Sequence, residues 1–289
     1  MLAMKLPALS LSFVVLILAV LPGCGGGSSN DDGPQPTIGA CENIGLTRKV
    51  VNGIECGSLA LSPVVRVGAR LQFSGQVRDA EFCTGSMLSA TAVLTAAHCF
   101  RSLESLGVAF QQVYIEYGDG ASKVRVPASS VTVHPQYRSA VPRDLNDVAI
   151  VRLTSAPNLP VLPALVSKGF EVGTVANVYG YGQTVEGRSA EVPAEARDFL
   201  ELLAGEMTIT DVTSQNYFVT YAGSGANVCF GDSGGPLVVT DAGTPSVLGV
   251  VSGGSRDDCR PGDVTYYTNL ADPSVLAFLR QAAPDGVYR

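Results

Sequence analysis

Tryptophan is absent from this chain of 289 residues, and histidine occurs only twice, as His98 and His134. Any chemistry that needs an imidazole must use one of those two positions. Charge is sparse as well: charged residues make up 16% of the chain, and the acidic ones prevail, for a net charge of −7. There is no basic stripe and no interleaving of aromatic with basic residues, so no nucleic-acid partner is expected. The cysteines form no Cys-x-x-Cys pair and the late ones have no histidine nearby, so neither a metal centre nor a cofactor is expected. Helix signals are scarce until the C-terminal end, which argues against an all-α or α/β body.

One long apolar run is present. Lys5 supplies a positive start, Leu6 to Val20 is apolar, and Leu21-Pro22-Gly23-Cys24 closes the run. The stretch is short for a bilayer span and reads as an export signal. The cysteine after small residues resembles the bacterial lipobox, where the thiol is acylated and the signal is cut before it. Residues 1–23 are therefore expected to be a lipoprotein signal and Cys24 the lipidation site; the rival is an ordinary secretory signal with an incidental cysteine. Gly25 to Gly33 follows as a flexible polar tether. The expected location is the bacterial cell envelope, lipid-anchored at the outer membrane or cell surface, with the body in the periplasm or outside.

Seven cysteines are present. Setting Cys24 aside leaves six, which can pair in about fifteen ways. Export implies an oxidising compartment, so disulfides are the default, but spacing alone does not assign partners.

From about Val50 the chain alternates short apolar runs with turn residues. Val64 to Val67, Ala92 to Thr95, Val113 to Ile115, Val148 to Val151, Leu237 to Val239 and Leu248 to Val251 read as strands. Near the end, Asp272 can cap a helix, Pro273 suits its first turn, and Val275, Leu276 and Leu279 form an apolar stripe. The pattern predicts an all-β body with a short C-terminal helix.

Gly231-Asp232-Ser233-Gly234-Gly235 satisfies the loose pattern Gly-x-Ser-x-Gly, which two unrelated folds share. An α/β-hydrolase needs its histidine after the serine. Here both histidines precede Ser233, so the order is histidine, aspartate, serine. Around these positions, Thr95-Ala96-Ala97-His98-Cys99, Asp147-Val148-Ala149-Ile150 and Gly231 to Pro236 resemble the three catalytic motifs of the trypsin/chymotrypsin family. Ser252-Gly253-Gly254 falls where that family has its substrate-binding strand. The similarity runs from Val50 nearly to the C-terminus. It implies two six-stranded antiparallel β-barrels over residues 50–289, and a serine endopeptidase acting on proteins or peptides as a monomer.

The resemblance also implies roles. Ser233 would be the nucleophile, His98 its general base, and Asp147 the acid that orients the imidazole. The backbone N–H groups of Gly231 and Ser233 would form the oxyanion hole. His134, followed by Pro135, falls where the family often has a histidine without catalytic duty, and Asp144 reads as a turn residue. Arg48-Lys49-Val50-Val51 resembles the family's activation site: residues 24–49 would be tether and propeptide, cut after Lys49 by a trypsin-like protease or by the enzyme itself. The new Val50 amine would pair with Asp232. Family pairings would join Cys83 to Cys99 and Cys229 to Cys259, leaving Cys41 for Cys56.

The family's substrate pocket maps onto Asn227, Ser252, Gly254 and Thr265. Asn227 sits six residues before the nucleophile, where the trypsin branch carries an aspartate. Its neutrality argues against simple cleavage at basic residues. If Thr265 faces the pocket, small or medium apolar side chains fit; if Asp263 does, basic preference returns by another route. The first is the expectation. The rival to an enzyme is a protease-like binding module without turnover, which would usually lack one of the three catalytic residues.

Overall fold

The computed structural model describes residues 54–55, 62–118, 122–140, 143–188 and 201–289. The calls on Cys24, Cys41, Lys49, Val50 and Cys56 lie outside the described residues. No described helix is long and apolar enough to cross a membrane.

Six strands close into a barrel in the order β2-β3-β4-β7-β6-β5. They are β2 (Val64–Phe73), β3 (Gln76–Met87), β4 (Ala92–Thr95), β5 (Ala109–Tyr117), β6 (Val124–Val133) and β7 (Ala149–Leu153). All neighbours are antiparallel, and β2 closes the barrel against β5 with Val67 opposite Ile115. Closure leaves no free edge. Val67, Leu94, Ile115 and Ile150 are sealed inside this barrel, which is why Ala92 to Leu94 and Val148 to Val151 read as short apolar runs.

The second half is an eight-stranded antiparallel sheet in the order β1-β9-β8-β12-β13-β14-β11-β10. Its strands are β1 (Ile54–Glu55), β8 (Val175–Gly180), β9 (Leu203–Thr208), β10 (Asp211–Val212), β11 (Asn216–Thr220), β12 (Pro236–Asp241), β13 (Thr244–Gly254) and β14 (Val264–Asn269). Leu237, Leu248, Ile209 and Tyr267 fill its core. The fold is thus all-β and chymotrypsin-like, but this half curls as a half-barrel sheet where a second closed six-stranded barrel was expected.

Two helices complete the described body. Helix α2 (Pro273–Ala282) starts as anticipated: the Asp272 carboxylate accepts the N–H groups of Ser274 at 2.9 Å and Val275 at 3.3 Å. Val275, Phe278 and Leu279 pack into the cluster of the first barrel. Helix α1 (His98–Ser105) was not anticipated. Its N-cap, Ala97, has no side-chain acceptor, so the usual capping signature is missing.

Candidate active site

The site lies where the barrel meets the sheet. Strand β4 delivers Thr95 and the chain turns directly into α1, so His98 stands at the helix start. Asp147 precedes β7, which pairs with β4 through Thr95 opposite Ala149. The pairing brings two sequence-distant motifs side by side.

Asp147 is fully buried, and three donors surround its carboxylate. Oδ1 accepts the backbone N–H of His98 at 2.8 Å. Oδ2 lies 2.7 Å from His98 Nδ1 and accepts the Ser252 hydroxyl at 2.6 Å. A carboxylate held by three donors cannot swing away, and it fixes the imidazole with Nδ1 protonated and Nε2 free to accept a proton. Burial disfavours the charged imidazole, but the Asp147 charge and hydrogen bond outweigh it, and the His98 pKa is raised.

Ser233 and His98 line the same open cleft, although no hydrogen bond joins the Ser233 hydroxyl to the ring. Resting sites often close that contact only around substrate. The backbone of Ser233 is held from the first barrel: Thr84 N–H donates to its carbonyl at 2.8 Å, and Thr84 Oγ1 donates to the Gly231 carbonyl at 2.8 Å. Thr84 Oγ1 also accepts Tyr181 N–H at 3.2 Å. Sequence reasoning missed this residue.

In the run 231–235, the N–H groups of Asp232, Gly234 and Gly235 are all donated to backbone carbonyls. Among the described residues none accepts from Gly231 or Ser233, so the two expected oxyanion donors are free. Gly231 has φ of 101°, a conformation that side chains resist.

Asp232 turns away from the cleft. Its carboxylate is buried, accepting N–H from Gly182 at 2.8 Å and from Cys229 at 2.9 Å. No described cation pairs with it. Burial pushes its pKa up to about 6, with those two N–H groups pulling the other way. It lines a cavity of about 530 Å³ with Val178, Gly180, Glu186, Tyr221 and Asn227. A Cβ on Gly182 would meet Asp232 Cγ at 2.5 Å, so glycine there lets the carboxylate in.

Asn227 is tied up on the same side. Its Nδ2 donates to the Cys259 carbonyl at 3.0 Å, and its Oδ1 accepts the Thr265 hydroxyl at 3.2 Å. Thr265 is fully buried, opposite Gly254 in the β13–β14 register. The residues that line the cleft beside Ser233 include Ser252, Gly254 and Asp263, and not Asn227 or Thr265.

His134 is buried away from this chemistry. Nε2 faces the Ser274 carbonyl at 3.2 Å, Nδ1 accepts Gln136 N–H at 3.1 Å, and the ring packs at a tilt against Phe278 of α2. Asp144 accepts Ala140 N–H and the Tyr137 hydroxyl. His98, Asp144 and Asp147 do place ligand atoms within 4.8 Å of one another. Both carboxylates are engaged by protein donors, Asp147 by His98 and Ser252 and Asp144 by Ala140 and Tyr137.

A family model described as Trypsin matches residues 62–275. The chain belongs to the trypsin family of serine proteases. It is a serine-type endopeptidase. Brachyurin of Leptuca pugilator is 30% identical over 205 residues, covering 67% of this chain and 85% of that protein. Trypsin-3 of Salmo salar is 30% identical over 232 residues, covering 76% of this chain and 89% of its own. Venom serine protease Bi-VSP of Bombus ignitus is 29% identical over 254 residues, or 81% and 69% of the two chains. As in the pairing expected from the family, disulfides join Cys83 to Cys99 and Cys229 to Cys259. The first ties α1 to β3 beside His98; the second ties the loop before Gly231 to the cleft wall.

Proposed function

We propose that this trypsin-family protein hydrolyses peptide bonds through Ser233, His98 and Asp147, and that it is made as an exported, lipid-anchored precursor. The observation that carries the assignment is the Asp147 carboxylate, which grips both the backbone and the ring of His98 while Ser252 holds it from the sheet of the second half.

His98 Nε2 takes the Ser233 proton as Oγ bonds to the substrate carbonyl carbon. The negative charge passes to the carbonyl oxygen, which the Gly231 and Ser233 N–H groups receive. Collapse breaks the C–N bond, and His98 gives its proton to the departing amine. Water then repeats the sequence: it loses a proton to His98, adds to the acyl carbon, and releases the carboxylic acid as Ser233 recovers its proton. Asp147 stays charged throughout and stabilises the imidazolium.

The uncompensated Asp232 carboxylate supports the precursor reading. A buried anion beside a cavity is suited to a cation that arrives later. Cleavage after Lys49 would free the Val50 amine to fill that role and order the Gly231–Ser233 backbone. A Cys41–Cys56 bond would keep the cut segment attached, so the lipid on Cys24 would still hold the mature enzyme at the membrane.

A fluorophosphonate probe tests the core of this reading. The cut protein should become labelled at Ser233, and Ser233→Ala, His98→Ala and uncut Lys49→Gln chains should not. No labelling after cleavage would favour a binding module instead. Release of residues 25–49 on a non-reducing gel would remove the tether.

A further inference from the structure

Asp144 precedes Asp147 on a loop whose next two residues are pinned. Leu145 exchanges backbone hydrogen bonds with Arg138 at 2.9 and 3.1 Å, and Asn146 donates its amide to the Gln136 carbonyl at 3.1 Å. The Asp144 carboxylate is held as well. Oδ1 accepts Ala140 N–H at 3.1 Å, and Oδ2 accepts the Tyr137 hydroxyl at 2.7 Å. Burial, and after it the bond to Asp144, push the Tyr137 pKa up, so that hydroxyl keeps its proton and stays a donor.

This fixed carboxylate has an oxygen within 4.8 Å of a His98 ring nitrogen and of an Asp147 oxygen. Among the described residues no cation forms an ion pair with it. Its neighbour Arg143 turns to the second half, where Nε donates to Asn216 Oδ1 at 3.0 Å and the guanidinium lies over the Phe218 ring. The other charged groups on the His98 cleft engage one another. Arg188 pairs with Asp257 at 3.3 Å and Arg256 with Asp258 at 2.8 Å, while Asp263 accepts the Ser255 hydroxyl and the Arg256 N–H. Burial disfavours a charged His98 ring; the Asp147 charge and hydrogen bond, and after them the Asp144 charge, favour it.

We infer that Asp144 is a positioning residue of this site, a second fixed carboxylate beside His98 that stabilises the imidazolium formed when Ser233 gives up its proton. This role rests on the peptidase reading above. Asp147 acts on Nδ1 through a direct hydrogen bond, whereas Asp144 acts through space. A charge fixed before the reaction stabilises the opposite charge that develops during it, with no reorganisation at that moment. His98 and Asp144 are both partly exposed, so water screens the attraction and the gain is about two- to five-fold in rate. The same attraction holds a proton on the resting ring, so Asp144 also sets where hydrolysis shuts down on acidification.

The full-length chain, matured after Lys49 and shown competent by fluorophosphonate labelling of Ser233, is assayed from about pH 4 to 9 on a peptide amide with no group that titrates in that range. Asp144→Asn keeps polar atoms for Ala140 and Tyr137 but removes the charge. Its acid limb in kcat/KM should lie at lower pH than that of wild type. Its plateau kcat should fall by about two- to five-fold with KM within about two-fold. Asp144→Ser, a second neutral variant, should move the limb in the same direction.

Imidazole NMR on matured Ser233→Ala chains gives a readout that needs no turnover. The sequence has only His98 and His134, and His134 sits apart against Ser274 and Phe278. Adding Asp144→Asn should move the His98 titration to lower pH and leave that of His134 in place. A His98 titration or an acid limb that stays at the wild-type position, an equal movement of His134, or a loss carried by KM alone would overturn the role of Asp144. A matured chain that takes no fluorophosphonate would instead overturn the peptidase reading, and the imidazole titration would still decide whether Asp144 acts on His98.

Discussion

Ser252 donates its hydroxyl to Asp147 Oδ2 at 2.6 Å, the same oxygen that lies 2.7 Å from His98 Nδ1. Ser252 is on β13 of the sheet and Asp147 just precedes β7 of the barrel, so this contact crosses between the halves at the point where chemistry needs alignment. Ser252→Ala should leave the fold intact, because the small cavity and one lost hydrogen bond cost about 1–3 kcal/mol. It should lower kcat about ten-fold, since Asp147 keeps two of its three donors. Asp147→Asn should lower kcat by about 10⁴, because an amide can stabilise the wrong tautomer and no longer stabilises the imidazolium. Steady-state hydrolysis of a peptide amide checks both; equal losses in the two variants would show that Ser252 is indispensable to Asp147.

Thr84 holds the Gly231–Ser233 turn from across the molecule, through a hydroxyl that donates to the Gly231 carbonyl 147 residues away. Thr84→Val removes that donor and leaves the Gly231 carbonyl and Tyr181 N–H buried without a partner, a loss of about 2–4 kcal/mol in unfolding free energy. Thr84→Ser keeps the hydroxyl and should recover most of the lost rate. Urea denaturation and kcat on the same amide separate the structural from the positional effect. A Thr84→Ser variant as slow as Thr84→Val would show that the methyl group, not the hydroxyl, does the positioning.

These two residues mark how far the sequence could be read. His98, Asp147 and Ser233 were legible because acyl transfer needs a nucleophile, a base and an orienting acid, and each sits in a distinctive local context. Ser252 was visible only as part of a substrate-binding strand, and Thr84 carried no signal at all: its role exists only once β3 lies against the Gly231–Ser233 turn. The strands built on short apolar runs, such as β4 and β7, were plain, whereas β8 and β9 carry Gly180, Gly205 and Glu206 and showed no clean alternation. Helix α1 stayed hidden because Ala97 offers no cap and the disulfide at Cys99 anchors the helix start. The place of Thr265 opposite Gly254 follows from the β13–β14 register, with its shift between Val251 and Gly253, which composition does not encode.

The raised pKa of His98 fixes the direction of a pH response. Only the neutral ring can take the Ser233 proton, so kcat/KM should rise with pH, with its acid limb above the ordinary imidazole value of about 6.5. The Asp147 charge outweighs the effect of burial, so in Asp147→Asn the limb should move to lower pH even as the plateau falls. For stability the sign is opposite to that for activity. The charged His98–Asp147 pair supports the fold fully below the unfolded imidazole value, and this support fades as pH rises through the raised one. A pH–rate profile of the two proteins tests the first statement, and a limb that does not move would assign it to another group.

Asp232 supplies the complementary test, on the precursor. Its pKa is pushed up to about 6 from an ordinary 3.8, because burial penalises the carboxylate more than two backbone N–H groups relieve it. The folded state therefore holds this proton more tightly than the unfolded chain does. The sign follows directly: the favourable contribution is complete below about pH 4 and is lost as pH rises through about 6, a swing of about 3 kcal/mol. Uncut Lys49→Gln protein should accordingly lose urea stability across that window, and the same chain carrying Asp232→Asn should not. In the cut enzyme the Val50 ammonium should hold the carboxylate charged and remove the slope, so the difference between precursor and mature protein should be widest near neutral pH. If the precursor and its Asp232→Asn form show the same pH dependence, Asp232 already has a partner before cleavage, and the proposed activation loses its driving force.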